Sequence, residues 1–137
     1  MKKYNKPLPQ PTPWSKPFWD GCKDKRLLIQ KCEDCQKHIM YPKLFCPECL
    51  SEKLSWIEAT GKGKIYSFTV VYSYQPTEFA DDVPYVIGVI ELDEGVRMMS
   101  NVVDCNPEEV QCDMGVEVVF DEVTDEFTLP KFRLISR

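Results

Sequence analysis

Two Cys-x2-Cys pairs, Cys32/Cys35 and Cys46/Cys49, stand ten residues apart and constrain this chain more than any other feature in it. A two-residue spacer lets a tight turn aim both sulfurs at one ion, and two such turns supply four thiolates in a tetrahedron. Soft thiolates select zinc or iron and reject magnesium and calcium. All four positions are cysteine, so the site is closed and has no position for an activated water; its expected role is structural. His38, the single histidine, lies three residues beyond Cys35 and is expected at the surface or supporting the ligands from outside. Iron fits the same four ligands, but nothing else in the sequence reads as a redox partner. So short a ribbon cannot bury a core, so the metal must supply its folding free energy, on the order of 10 kcal/mol.

The remaining cysteines support metal over disulfides. Seven in all is an odd number, which suits a disulfide framework poorly. The basic N-terminus is not followed by an apolar stretch, so no secretory signal is expected. No apolar run approaches the roughly 18 residues of a membrane helix. A cytoplasmic protein with reduced thiols is the expectation. Cys22, Cys105 and Cys112 stand apart from the pairs and read as small, half-buried thiols.

Secondary structure is read from punctuation and period. Residues 4–17 hold Pro7, Pro9, Pro11, Pro13 and Pro17, which exclude helix and favour an extended arm that lies on another surface or stays mobile. Ser15 as N-cap and Pro17 in the first turn predict a short helix over 15–24, with Phe18, Trp19 and Cys22 on one face. Residues 26–31 predict a strand entering the ribbon, and 53–60 a strand leaving it, with Leu54 and Trp56 on one face. Gly61-Lys-Gly63 reads as a bend where the ribbon meets the second half of the chain. Strands are predicted at 65–74, 85–92, 96–103, 116–120 and 127–135. A loop is predicted at 75–84, a turn at 93–95 with Gly95 at positive φ, and one helical turn after Asn106-Pro107. Five strands with a central hairpin and a helical turn between the third and fourth describe a small β-barrel, OB-like first and SH3-like second. The chain is thus mainly β: an arm with a short helix over 1–25, a zinc ribbon over 26–60 and a five-stranded barrel over 61–137.

Charge and missing motifs restrict the function. Residues 1–60 carry a balance of +4 and residues 61–137 one of −9. Zinc ribbons and OB folds both occur in single-stranded nucleic-acid-binding proteins, and Tyr66, Phe68, Tyr72 and Tyr74 are of a kind that stacks on bases. Phosphate contacts dominate that affinity, however, and an acidic barrel repels polyanions. There is no G-x-S-x-G, no phosphate-binding glycine loop and no H-E-x-x-H. Asp81-Asp82, Glu108-Glu109 and Asp121-Glu122 read as solvated charge in loops and turns. An independent enzyme is not expected, and no catalytic residue is assigned.

Several segments together resemble a known family: Pro17-Phe-Trp19, Leu27-Leu-Ile-Gln-Lys-Cys32-Glu-Asp-Cys35, Tyr41-Pro42, Cys46-Pro-Glu-Cys49, Gly61-Lys-Gly-Lys-Ile-Tyr-Ser-Phe-Thr-Val70, Pro84-Tyr-Val, Glu91-Leu-Asp-Glu-Gly95 and Leu129-Pro-Lys-Phe132. In this order they resemble the proteins of domain of unknown function 35, which accompany thiolase-like enzymes of acyl-CoA metabolism. The resemblance implies an N-terminal helical segment, a rubredoxin-like zinc ribbon and a C-terminal OB fold. It also implies an accessory role, docked on a thiolase-like, hydroxymethylglutaryl-CoA synthase-type or hydratase/aldolase partner, with a contribution to CoA or acyl-CoA binding. It carries over four residues, Cys32, Cys35, Cys46 and Cys49, as zinc ligands. Ligand contacts are then sought at Phe18 and Trp19, as an apolar slot for pantetheine or an acyl chain. Lys43, Lys62 and Lys64 are the candidates for the CoA phosphates. The default reading is that the aromatic pair packs on the ribbon and the lysines are solvated.

Overall fold

The computed structural model describes residues 6–72 and 82–135. A helix, α1 (Lys16–Lys23), precedes a three-stranded antiparallel sheet of β1 (Leu28–Cys32), β2 (His38–Ile39) and β3 (Leu54–Glu58), ordered β2-β1-β3. Five strands then close a barrel: β4 (Lys62–Val71), β5 (Tyr85–Leu92), β6 (Arg97–Val103), β7 (Gly115–Glu122) and β8 (Thr128–Leu134). Their order is β4-β5-β6-β8-β7, with β7 returning to pair with β4. β6 and β8 run parallel, paired only at Val102/Phe132 and Val103/Arg133; the other barrel pairs are antiparallel. This closure is the OB-type solution to the edge problem, and the SH3-like alternative is set aside.

The arm and helix depart from expectation in one detail. Pro17 sits in the first turn, but the Ser15 hydroxyl caps no helix N–H. It accepts from the Thr12 backbone N–H at 2.8 Å instead, so it closes the turn before the helix. Phe18 and Cys22 point inward, and Gly21 lets the helix approach the start of β1: a Cβ there would lie 2.9 Å from the Arg26 carbonyl oxygen. The arm from Lys6 onward lies on the barrel, fastened by Lys6 to Asp82 at 2.9 Å. The predicted loop at 75–84 and the end of the strand predicted at 65–74 fall partly on residues 73–81, outside the described residues.

Two details of β4 explain how the barrel closes. Ile65 pairs with Ile90 but Ser67 with Val89, so Tyr66 is the extra residue of a bulge. The bulge shifts the alternation by one residue, and Ile65, Phe68 and Val70 all pack on the core although their spacing is not strictly even. Ahead of it, Gly63 pairs with Leu92 on one side and Val116 on the other. A Cβ on Gly63 would stand 2.3 Å from the Glu91 carbonyl oxygen, so only glycine fits where the two seams meet. Gly61 supplies the bend between sheet and barrel with φ +81. The β5–β6 turn is tied to that bend, since Thr60 donates its backbone N–H to Glu94 Oε2 (2.9 Å) and Asp93 its own to the Lys62 carbonyl (3.0 Å).

Helix, ribbon sheet and barrel share one core. Phe18, Cys22, Leu27 and Ile29 join Ile65, Ile90, Val116 and Phe132 in a single cluster. Trp56 and Ile57 both pack on it from β3, and Leu54 and Trp56 share one face as expected, set opposite Cys32 and Gln30 of β1. Leu54 packs on a second, three-residue cluster of Cys32, Ile39 and Cys46. Among the described residues, that small cluster is the core that lies beneath the cysteine pairs. Of the lone thiols, only Cys105 is half-buried; Cys22 is fully buried and Cys112 exposed. Asp121 and Glu122 end β7 instead of lying in a loop, paired with Lys131 (2.6 Å) and Lys25 (3.6 Å).

Candidate functional site

Each cysteine pair of the ribbon makes a knuckle. After Cys32 the chain turns so that the Cys35 N–H approaches the Cys32 sulfur (3.5 Å), and Gln36 takes a left-handed φ of +65. After Cys46 the Glu48 N–H approaches the Cys46 sulfur (3.4 Å), and Leu50 takes φ +63. The short hairpin of β1 and β2 sets the first knuckle, and the chain entering β3 sets the second.

The four Sγ atoms lie within 4.8 Å of one another. Cys32–Cys49 and Cys35–Cys46 are 3.5 and 3.6 Å apart. A disulfide needs about 2.05 Å, so neither pair is one. A tetrahedron of sulfurs about 2.3 Å from a zinc ion has edges of about 3.8 Å. The cluster therefore fits a thiolate-bound ion with small adjustment. His38 is half-buried in β2, opposite Lys31, and is not among the clustered ligands.

The electrostatics suit the same purpose. Cys32 is drawn down to about 7, first by the Cys35 backbone N–H and then by that of Asp34, against burial. Cys46 is lowered in the same way, first by the Cys49 N–H. Cys49 is pushed up to about 12: the Ser51 N–H favours its thiolate, but contact with the Cys32 sulfur and burial outweigh that help. Four touching sulfurs cannot all ionise unaided, and a divalent cation removes the conflict. Cys22 is pushed up to about 12 by burial alone and is an inert core thiol.

A second site lies where helix, ribbon and barrel meet. An apolar cavity of about 310 Å³ is walled by Phe18 and Trp19 of α1, Met40 and Tyr41 of the loop after β2, Met98 of β6 and Pro130 of β8. It borders the β6–β8 seam, which has two paired backbone positions, and side chains make further links from β6 to the ribbon loop and to β8. The Tyr41 hydroxyl accepts the Met99 N–H at 2.8 Å, and the Ser100 hydroxyl donates to the Pro130 carbonyl at 2.7 Å. Phe18 is a core residue that lends one edge to the cavity, and Trp19 stands edge-on to both Phe18 (5.0 Å) and Phe127 (6.4 Å). A wider depression of about 860 Å³ beside the Pro107–Glu109 turn is lined by Glu109 and Asp113, which disfavour an anionic ligand.

The structure thus gathers the four cysteines and the aromatic pair, but not the lysines. Lys43, Lys62 and Lys64 are exposed and none lines the cavity. Lys64 stands between Glu91 (4.0 Å) and Asp113 (3.9 Å). Lys43 adjoins Pro42 of the cavity wall. Met40, Tyr41 and Met98 were not anticipated, since no local pattern in the sequence marks residues brought together across three elements. Gln30 was also missed. It is 4% exposed, and its amide donates to the Lys43 carbonyl (2.9 Å) and accepts from the Lys43 N–H (2.7 Å). A glutamine in a strand reads as solvent-facing, and only the tertiary structure shows it clamping the loop that leads to Cys46. Among the described residues, no helix is long and apolar enough to cross a membrane.

Comparison with known proteins adds two family matches. The ChsH2 rubredoxin-like zinc ribbon domain matches residues 19–55, and the ChsH2 C-terminal OB-fold domain matches residues 56–121. A "DUF35 domain-containing scaffold protein" of Methanocaldococcus jannaschii is 36% identical over 110 residues, spanning 79% of this chain and 77% of that protein. A "Probable enoyl-CoA hydratase alpha subunit" of Thermomonospora curvata is 37% identical over 117 residues, which is 85% of this chain but 36% of the relative. The chain therefore spans about a third of that longer protein. Among solved structures, the "Ltp2-ChsH2(DUF35) aldolase" superposes with a TM-score of 0.83 at 33% identity, covering 93% of this chain and 98% of the other.

Proposed function

The chain belongs to the DUF35 family, proteins that join a ChsH2-type rubredoxin-like zinc ribbon to an OB-fold domain, and from that premise we propose that it is a non-catalytic scaffold subunit for an acyl-CoA-processing enzyme of the thiolase, aldolase or hydratase kind. The observation that carries this reading is the apolar cavity at the junction of helix, ribbon and barrel, in a chain whose relatives are named as scaffold and enzyme subunits. Cys32, Cys35, Cys46 and Cys49 hold one zinc ion, and the ion's contribution is folding free energy for the ribbon. The arm and helix (1–25), ribbon (26–60) and barrel (61–137) act as three working parts, and each walls part of the cavity. The cavity takes the pantetheine or acyl chain of a CoA thioester against Phe18 and Trp19. Lys43, beside the cavity wall, is the favoured cation of the three lysines for a CoA phosphate; the partner supplies the others. A reducing cytoplasm keeps the thiols available to the metal.

The nucleic-acid reading is less well supported. Arg97 covers one face of the exposed Tyr66 ring at 3.7 Å and is itself paired to Glu91 at 3.1 Å, so that platform for a base is occupied. Titration calorimetry of the zinc-loaded chain with CoA and a medium-chain acyl-CoA, alone and with its co-purified partner, tests the proposal. Acyl-CoA is expected to bind more tightly than CoA, and Met98→Trp, which fills the cavity, to abolish the difference. Absence of binding in both conditions removes the ligand half. Turnover of a thioester by the lone chain removes the scaffold half.

A further inference from the structure

The second knuckle of the ribbon displays apolar side chains that nothing described in the chain covers. Leu44, Phe45 and Leu50 are 60, 49 and 68% exposed, and they bracket Cys46 and Cys49. Leu50 is unfavourable twice over. Its φ of +63 lies in the left-handed region, where glycine or asparagine is the usual occupant. Its exposure offsets none of that cost by burial. At the equivalent place after the first pair the chain carries a polar residue, Gln36, at φ +65. Knuckle geometry therefore demands the backbone conformation but not the leucine.

The surroundings hold the patch in place. Lys37 pairs with Glu48, and the Ser51 hydroxyl donates to Asp34. The backbone beneath is held by the Gln30 clamp on Lys43, by the Cys46 N–H to the Ser51 carbonyl (2.8 Å) and by the Leu50 N–H to the Cys46 carbonyl (2.9 Å). A pre-ordered apolar tip loses little conformational entropy on docking.

We infer that Leu44, Phe45 and Leu50 form the docking surface for an apolar patch on the acyl-CoA enzyme subunit that this chain accompanies, an inference that rests on the scaffold role proposed above. Continuity of the loop singles out that occupant. Pro42 lines the cavity and Leu44 begins the tip two residues later, so no more than about 7 Å of backbone separates the tip from the cavity wall, within the footprint of a docked protein. A subunit that holds an acyl-CoA gains from that placement, because the two proteins then share one ligand site.

The test uses the full chain in its native host, with the photo-crosslinker p-benzoylphenylalanine at position 50 or, separately, at position 111 in the turn before β7. Irradiation is expected to join an acyl-CoA enzyme subunit, identified by mass spectrometry, at position 50 and not at 111. Leu44→Ser and Leu50→Asn are each expected to cut the co-purified enzyme by at least about tenfold, as centrally placed interface residues do. Zinc content and Tm should hold, since Leu44 is no ligand and asparagine accepts the left-handed conformation. Crosslinking of the enzyme at 111 alone, capture of a second copy or an unrelated protein at 50, or undiminished co-purification of both variants overturns the docking surface and leaves the scaffold role standing. Recovery of no acyl-CoA enzyme from either position overturns the scaffold role, and this surface with it.

Discussion

Replacing Gln30 by methionine isolates the clamp that joins the metal site to the cavity. Methionine has similar length and no branch, so the buried volume is kept and a cavity penalty is avoided. What is lost is a pair of hydrogen bonds to the backbone of one residue, the Lys43 carbonyl at 2.9 Å and the Lys43 N–H at 2.7 Å. Each such bond contributes about 0.5–1.5 kcal/mol net, and a stranded buried partner costs about 1–3 kcal/mol. The Lys43 side chain is exposed, so water takes over part of the load, and the expected loss is about 2–3 kcal/mol. At about 2–4 °C per kcal/mol for a chain near this size, Tm should fall by about 5–10 °C. Thermal unfolding followed by circular dichroism, with zinc loading matched to the parent, reads this directly. The second readout is the rate at which a chromophoric chelator strips zinc. It should rise, because residues 40–46 carry Cys46 and lose their anchor three residues upstream of it. A Tm within about 2 °C of the parent, with an unchanged stripping rate, would refute the view that Gln30 holds this loop in place.

Three further outcomes are expected from the same geometry. Metal removal at neutral pH should abolish hydrogen-exchange protection across residues 30–54, whose own core is Cys32, Ile39 and Cys46, while the barrel strands around Ile90 and Phe132 keep theirs; simultaneous loss in the barrel would contradict the two-cluster picture. Zinc affinity should fall with falling pH, because the ion binds thiolates and displaces protons. Above about 7 the Cys32 thiol is already ionised, and below it that proton must be displaced as well, so competition titrations should give a steeper dependence at pH 6 than at pH 8. Gly63→Ala should prevent stable folding, since its Cβ would lie 2.3 Å from the Glu91 carbonyl oxygen, whereas Gly95→Ala meets open space and bears only the cost of its φ of +90, about 1 kcal/mol; comparable Tm values for the two variants would contradict the closure described for β4.

Much of this protein was legible in its residues alone. The paired cysteine spacing named a four-sulfur cluster because local turn geometry alone aims Cys32 with Cys35 and Cys46 with Cys49, and these sulfurs do converge. The β5 strand over Tyr85–Leu92 was readable because a short run rich in β-branched residues is bounded by Pro84 and the Asp93-Glu-Gly95 turn, whereas its alternating burial shows only in the structure. Asn106-Pro107 marked its helical turn for a similarly local reason: the Asn106 side chain accepts the Glu108 N–H at 3.1 Å, and proline fits the first position.

What the one-dimensional string left open depended on contacts between residues far apart in it. The order of the strands, the parallel β6–β8 seam and the cavity beside it are settled by closure of the barrel against the helix and ribbon, and no local pattern encodes closure. Gln30 looks polar and solvated until its partner, thirteen positions away, is placed beside it. The lysines proposed for phosphate are matched by charge alone, and charge without position could not say that Lys62 and Lys64 sit away from the cavity. Short-range chemistry thus determined the four-sulfur cluster and most strands, while the apolar cavity and the surfaces around it exist only because packing brings helix, ribbon and barrel into one core.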